Sequence, residues 1–190
     1  MTLMLPFTKM VDLANGTIPG GQDIQVRHLA DLKGLFADSA AESALLPENP
    51  VIYRVYLGAH QPEVVGQLSF STTVIYPGKV GEEYFFTKGH YHAKGDRAEL
   101  YFCLRGEGIL LLQTREGEVN VQHMTPGAAA LVPPYWGHRT INTGQDEFAF
   151  FACYPSDAGY DYAAIAEKGF ASLIVERNGK TEMIPNPSWL

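Results

Sequence analysis

A chain of 190 residues, 46% hydrophobic and 18% charged, can bury one sizeable core and is short for two domains, so residues 1–190 read as a single domain. Its formal net charge of −7 comes without a run of Lys or Arg able to track a phosphate backbone, which argues against a nucleic-acid partner. No stretch approaches the roughly 18 apolar residues of a membrane span, and Met1–Phe7 carry neither a basic leader nor a small-residue cleavage site, so a cytoplasmic protein without membrane contact is expected.

In chain order, residues 1–50 come first, with helical spacing over Leu29–Phe36 and Ser39–Leu46. The apolar set Leu29, Leu32, Leu35 and Phe36 suits an N-terminal extension that packs on the rest of the chain or on a partner subunit. Strand patterns follow at Ile52–Leu57, Gln67–Tyr76, Tyr84–Thr87, Glu99–Arg105, Ile109–Gln113, Glu118–His123, Ala128–Val132, Arg139–Asn142 and Phe148–Tyr154. Gly or Pro separates most of them, which predicts an all-β sandwich or barrel with a few short helices. Tyr160–Lys168 reads as a helix stopped by Gly169. Two last strands, Ser172–Glu176 and Thr181–Ile184, flank the hairpin turn Asn178-Gly179.

Chemistry concentrates in two blocks, Gly89–Glu99 and Gly127–Asn142. His90 and His92, at i and i+2, project to the same side of an extended chain. Glu99 opens an alternating run in which Tyr101 and Cys103 share its face, while Leu100, Phe102 and Leu104 share the other. A glutamate in that position is either exposed at a rim or held by a cation. His138 supplies a third imidazole, and three nitrogens with one carboxylate oxygen suit a single divalent transition ion with positions open to water or substrate. Cys103 and Cys153 lie in apolar runs without neighbouring ligand types and read as reduced, buried thiols outside that site. His28, His60 and His123 read as structural or surface residues. Tyr135 and Trp136 form a stiff aromatic segment suited to barrel-end packing or to a pocket wall.

The two blocks resemble the two motifs of the cupin superfamily, with a longer connection between His92 and Glu99 than many cupins have and Tyr135 in place of the usual Gly. The resemblance implies a double-stranded β-helix, or jelly-roll barrel. Ser71–Gly81, Phe85–Lys94, Val132–Thr140 and Tyr154–Tyr162 resemble more narrowly the cupin-type glucose-6-phosphate isomerases, over about Val26 to Trp189. That resemblance implies interconversion of glucose 6-phosphate and fructose 6-phosphate by a homodimer with one divalent metal per subunit, Fe²⁺ first and Mn²⁺ or Ni²⁺ as alternatives. It makes His90, His92, Glu99 and His138 the metal ligands, and Glu99 and Tyr162 the catalytic residues. Tyr53, Thr73, Thr87, Gly89, Tyr154 and Tyr160 become substrate contacts; Tyr160 stands where relatives can carry a histidine.

Aldose–ketose isomerisation needs a base at the two reacting carbons and stabilisation of charge on their oxygens, for which Glu99 and a Lewis-acid metal are the candidates. Proton transfer through a cis-enediol and a hydride shift both remain open. Thr73, Thr87, Tyr154 and the Gly89 N–H are the donors for a phosphate, although each residue type is also ordinary in a strand or core. Lys88 and Lys94 flank the histidines and could attract a dianion. A metal-dependent cupin dioxygenase, which shares the ligand set, and a non-catalytic sugar-binding cupin, which needs no open metal positions, stand as alternatives.

Overall fold

The structure is a computed structural model and describes residues 5–20, 24–59 and 64–189; His60 and Met1–Met4 lie outside them. In chain order the elements are β1 (Ile24–His28), α1 (Ser39–Leu45), β2 (Val51–Ala59), β3 (Leu68–Ile75), β4 (Lys79–Val80), β5 (Glu83–Tyr84), β6 (Glu99–Arg105), β7 (Gly108–Gln113), β8 (Val119–Met124), β9 (Ala129–Val132), β10 (Gly137–Asn142), β11 (Phe148–Pro155), α2 (Ala163–Lys168), β12 (Ser172–Arg177) and β13 (Lys180–Pro185). All strand pairs are antiparallel. One sheet runs β1-β2-β3-β11-β6-β9, and its inner residues face those of β10-β7-β8 and β13-β12-β5-β4 across one core. An isolated bridge from Phe86 to Ile141 joins the two smaller sheets. The fold is mostly β, a double-stranded β-helix in which strands distant in sequence, such as β3 and β11, lie side by side.

Phe148, Phe150, Ile75, Leu110 and Ile141 fill the interior, an arrangement driven by removal of apolar surface from water. Period-two alternation is clear in β6, where Glu99, Tyr101 and Cys103 are buried and Leu100 and Phe102 are exposed. Asn142 at the end of β10 donates its side-chain amide to Ile75 O (2.9 Å) and Asp146 O (2.8 Å), tying the sheets together. At the expected hairpin, Asn178 and Gly179 both take positive φ (52° and 72°), as a type I′ turn requires.

Departures from the sequence pattern have local causes. The helix expected over Leu29–Phe36 shrinks to a 3-10 turn, Leu29–Leu32. Gly34 then adopts φ 83° and donates its N–H to the buried Glu42 carboxylate (2.8 Å), turning the chain away. Leu29, Leu32 and Phe36, which could have covered a neighbouring subunit, are buried in the chain's own core. The strand expected at Tyr84–Thr87 is regular only over Glu83–Tyr84. α2 begins at Ala163 rather than Tyr160, because an antiparallel bridge between Tyr91 and Asp161 keeps the preceding segment extended. β1 was not expected at all. Among the described residues, no helix is long and apolar enough to cross a membrane.

Candidate metal centre and its pocket

Gly89 sets the first two members of the cluster. Its φ of 74° lies in the left-handed region, and a Cβ there would come within 2.7 Å of Phe170 and 2.9 Å of the His138 carbonyl, so no side chain fits. The chain next to it can therefore approach β10 closely. His90 N–H donates to His138 O (3.1 Å) and His138 N–H returns the bond to His90 O (3.0 Å), setting the two rings 4.5 Å apart. His92 follows on the same side, 5.6 Å from His90 between ring centres; the segment is held by isolated bridges and is not a regular strand. β6 presents Glu99 from the opposite sheet.

The potential ligand atoms of His90, His92, Glu99 and His138 lie within 4.8 Å of one another. Glu99 Oε2 is 3.1 Å from both His92 Nε2 and His138 Nε2. The approach to His138 lacks hydrogen-bond alignment, and His90 Nε2 and both His138 ring nitrogens are buried without a hydrogen-bond partner among the described residues. Buried polar atoms without partners are costly, and lone pairs converging beside a carboxylate are what a divalent transition ion takes up. The residues fit such an ion, with His90, His92, Glu99 and His138 as its holders.

Electrostatics agree with that donor set. Burial, reinforced by His138, pushes the His90 pKa well below the ordinary imidazole range, which keeps the ring neutral. Burial alone would raise Glu99, but His138 and His92 hold its carboxyl down to about 2, so it stays ionised. Burial also opposes the charged form of His92, yet the bond to Glu99 outweighs it and raises the pKa. Ligation would have to displace that proton.

A cavity of about 600 Å³ opens onto the cluster, lined by His90, Glu99 and His138, with His92 set behind them. Tyr53, Thr73, Thr87, Gly89, Tyr154, Tyr160 and Tyr162 line the same cavity. Thr87 Oγ1 accepts from Thr140 N (3.0 Å), leaving its proton free to donate. Tyr160 O–H donates to Tyr154 Oη (3.1 Å), stacks on Tyr162 and lies edge-on to His90. Burial pushes Tyr162 up to about 12 and raises Tyr154 and Tyr160 as well, so all three phenols are neutral donors at neutral pH.

Sequence reasoning missed Gln25, Arg27, Lys33 and Tyr101, which also line the cavity. Arg27 stands opposite Tyr53 in the β1–β2 register, and its guanidinium, with the Lys88 amide, opposes the rise that burial gives the Tyr53 pKa. Only Tyr101 had a signal, as the next inward residue after Glu99. Of the two flanking lysines, Lys88 lines the cavity and Lys94 pairs with Asp157 at 2.9 Å. His28 faces Asp31 and His123 is exposed on β8. Both thiols are free, Cys103 buried and Cys153 half-buried rather than buried. Tyr135 packs over Gly95 outside the cavity lining.

Fold and site together define a double-stranded β-helix with a largely buried three-histidine, one-glutamate cluster facing a cavity of mixed polar and apolar lining. The chain belongs to the glucose-6-phosphate isomerase family, whose model, "Glucose-6-phosphate isomerase (GPI)", matches residues 26–188. A glucose-6-phosphate isomerase of Thermococcus onnurineus is 52% identical over 100% of this chain and 99% of its own. That of Thermococcus kodakarensis is 54% identical over 94% of each chain. A putative glucose-6-phosphate isomerase 1 of Rhizobium meliloti is 42% identical over 94% of this chain and 85% of its own. Among solved structures, an oxalate oxidase in complex with glycolate covers 80% of this chain and 59% of its own at 12% identity, with a TM-score of 0.45.

Proposed function

We propose that the chain is a cytoplasmic, metal-dependent isomerase of glucose 6-phosphate and fructose 6-phosphate. The observation that carries the reading is the convergence of unpartnered imidazole nitrogens and an ionised Glu99 at a cavity whose lining also brings together hydroxyl groups, from Thr73, Thr87 and Tyr154, and cationic ones, from Arg27 and Lys88. Family membership and the names of the relatives support the same substrate pair. When bound, Fe²⁺, or Mn²⁺ or Ni²⁺ in its place, supplies Lewis-acid stabilisation of charge on the oxygens of the reacting carbons. Thr73, Thr87, Tyr154 and the Gly89 N–H hold the phosphate, and Arg27 and Lys88 offset its charge in a protein of net charge −7. Tyr53 and Tyr162 wall the sugar, Tyr160 orients Tyr154, and Glu99 moves the proton between the carbons.

A coupled assay on both hexose phosphates tests this, run beside an oxygen electrode. Turnover in both directions without oxygen uptake is expected. Oxygen consumption without isomerisation, or ligand binding without conversion, would replace the reading with a dioxygenase or a binding protein. In the same assay Thr73→Ala/Thr87→Ala should mainly raise KM, by roughly tenfold or more if each lost donor is worth about 1 kcal/mol. An unchanged KM would remove the threonines from the phosphate site.

We propose also that the outer face of the large sheet is where a second copy docks to make a homodimer. Leu100 and Leu131, cross-strand neighbours, are 45% and 60% exposed, and Phe102 is 40% exposed beside Phe151. A continuous apolar stripe of this kind is uncommon on a monomer. Light scattering at micromolar concentration should report two chains; a mass of 20.9 kDa would overturn the dimer.

A further inference from the structure

The six residues 93–98 connect two of the cluster's side chains, His92 and Glu99, by a turn that belongs to no strand. Such a connection has no sheet register to fix its length or direction. Apart from the bond that Gly95 O accepts from Tyr135 N–H (2.6 Å), its bonds to other segments run to the loop that follows β11. Lys94 N–H donates to Ala158 O (2.9 Å), and Ala93 N–H to Gly159 O (3.4 Å). Asp157, whose side chain is 3% exposed, takes three charged donors from the turn: Lys94 Nζ at 2.9 Å, Arg97 Nε at 3.1 Å and Arg97 Nη2 at 2.7 Å. The two-pronged Arg97 contact fixes the guanidinium plane as well as its position.

Arg97 then turns its own carbonyl to the cluster. His92 Nδ1 lies 2.9 Å from Arg97 O, and a carbonyl can only accept, so Nδ1 keeps its proton; the proton that Nε2 shares with the ionised Glu99 is the one ligation displaces, which leaves the Nε2 lone pair facing the cluster. His92 alone of the three imidazoles has a ring nitrogen bonded to a backbone acceptor; both ring nitrogens of His138 are unpartnered among the described residues. Acceptors behind a ligating histidine fix its tautomer and ring orientation.

We propose that Asp157 is a positioning residue for the metal centre. Through Arg97 it fixes the turn between His92 and Glu99, and with it the ring orientation and tautomer of His92. This rests on reading the cluster as a metal site. Asp157 touches neither the cluster nor the cavity, and the chain of contacts runs from a buried carboxylate through a guanidinium and a main-chain carbonyl to the imidazole.

The test uses the full chain and Mn²⁺ as the probe, with affinity measured by competition against a chromophoric chelator. Asp157→Asn keeps the side-chain shape and removes the charge; it should weaken Mn²⁺ binding by about 10–100-fold. Glu82→Gln, which breaks the remote exposed pair with Arg177, should leave affinity unchanged. A second readout is independent of affinity. In ¹⁵N-labelled, Zn²⁺-loaded protein, His92 Nδ1–H should persist against solvent exchange in the parent and be lost in Asp157→Asn. Parental affinity within twofold together with a persisting Nδ1–H would overturn the proposal. If Asp157→Asn does not melt cooperatively, Arg97→Lys, which keeps one charge and loses the two-pronged contact, must show the same two changes, and its failure to do so counts equally against it. The underlying reading fails differently: the parent would not take up one Mn²⁺ per chain, or His138→Ala would bind it as the parent does.

Discussion

Replacing Glu99 by Gln is expected to lower kcat by on the order of 10²-fold or more, the scale of a lost positioned proton transfer, while bound metal is retained at least in part. The substitution keeps an oxygen at the position now 3.1 Å from His92 Nε2 and His138 Nε2, but removes the charge and the ability to accept a proton. A carboxyl held at about 2 is a weak base. That value belongs to the metal-free cluster, where His92 bonds to Glu99 and His138 lies beside it, and ligation would replace those contacts. Measured together, kcat and metal content separate the two roles. Loss of both in proportion makes Glu99 a ligand alone. Parental turnover with normal metal content would show that no base acts here, and a hydride shift would become the better account of the hydrogen movement.

The cluster was legible because it is written in spacing. His90 and His92 at i and i+2, Glu99 at the start of an alternating run, and Gly89 before them are local features, and the structure brings them to one wall of one cavity. The alternation in β6 even placed Tyr101 inward, though its position in the cavity depends on which strands are neighbours. β1 was hidden for a physical reason. Gln25 and Arg27 point toward the cavity, so the inward positions of this strand are polar, and the alternation Ile24-Gln25-Val26-Arg27 holds only two apolar residues, too few to mark a half-buried strand. Arg27 went unnoticed with it. The collapse of the first expected helix into a 3-10 turn depends on Glu42 reaching back to Gly34, a contact between an exposed backbone group and a buried carboxylate that periodicity does not register. Asp157 is the clearest case of a site residue without a sequence signal. It lies 60 positions from Arg97, and only the return of β11 beside β6 brings the two together.

Stripping the protein with a strong chelator is expected to abolish isomerase activity, and Fe²⁺, Mn²⁺ or Ni²⁺ to restore it. Without an ion, His90 Nε2 and the His138 nitrogens stay buried and unpartnered among the described residues, and the ionised Glu99 carboxylate sits in the cluster without a metal's charge beside it. Negative charge developing on a substrate oxygen would meet that carboxylate without a metal ion to offset it, and in a desolvated site such repulsion is felt strongly. Zn²⁺ should bind without restoring the full rate, because its preference for four ligands is already met by three imidazoles and a carboxylate, leaving less room for substrate oxygens. Binding also has a signature apart from turnover: an ion held at 100 times its dissociation constant stabilises the fold by roughly 2.7 kcal/mol. A rise in melting temperature with each restoring ion, absent in His90→Ala/His138→Ala, would tie the effect to this cluster. Full activity in a preparation verified to be metal-free would remove the ion from the reaction and leave the four converging side chains without a catalytic role.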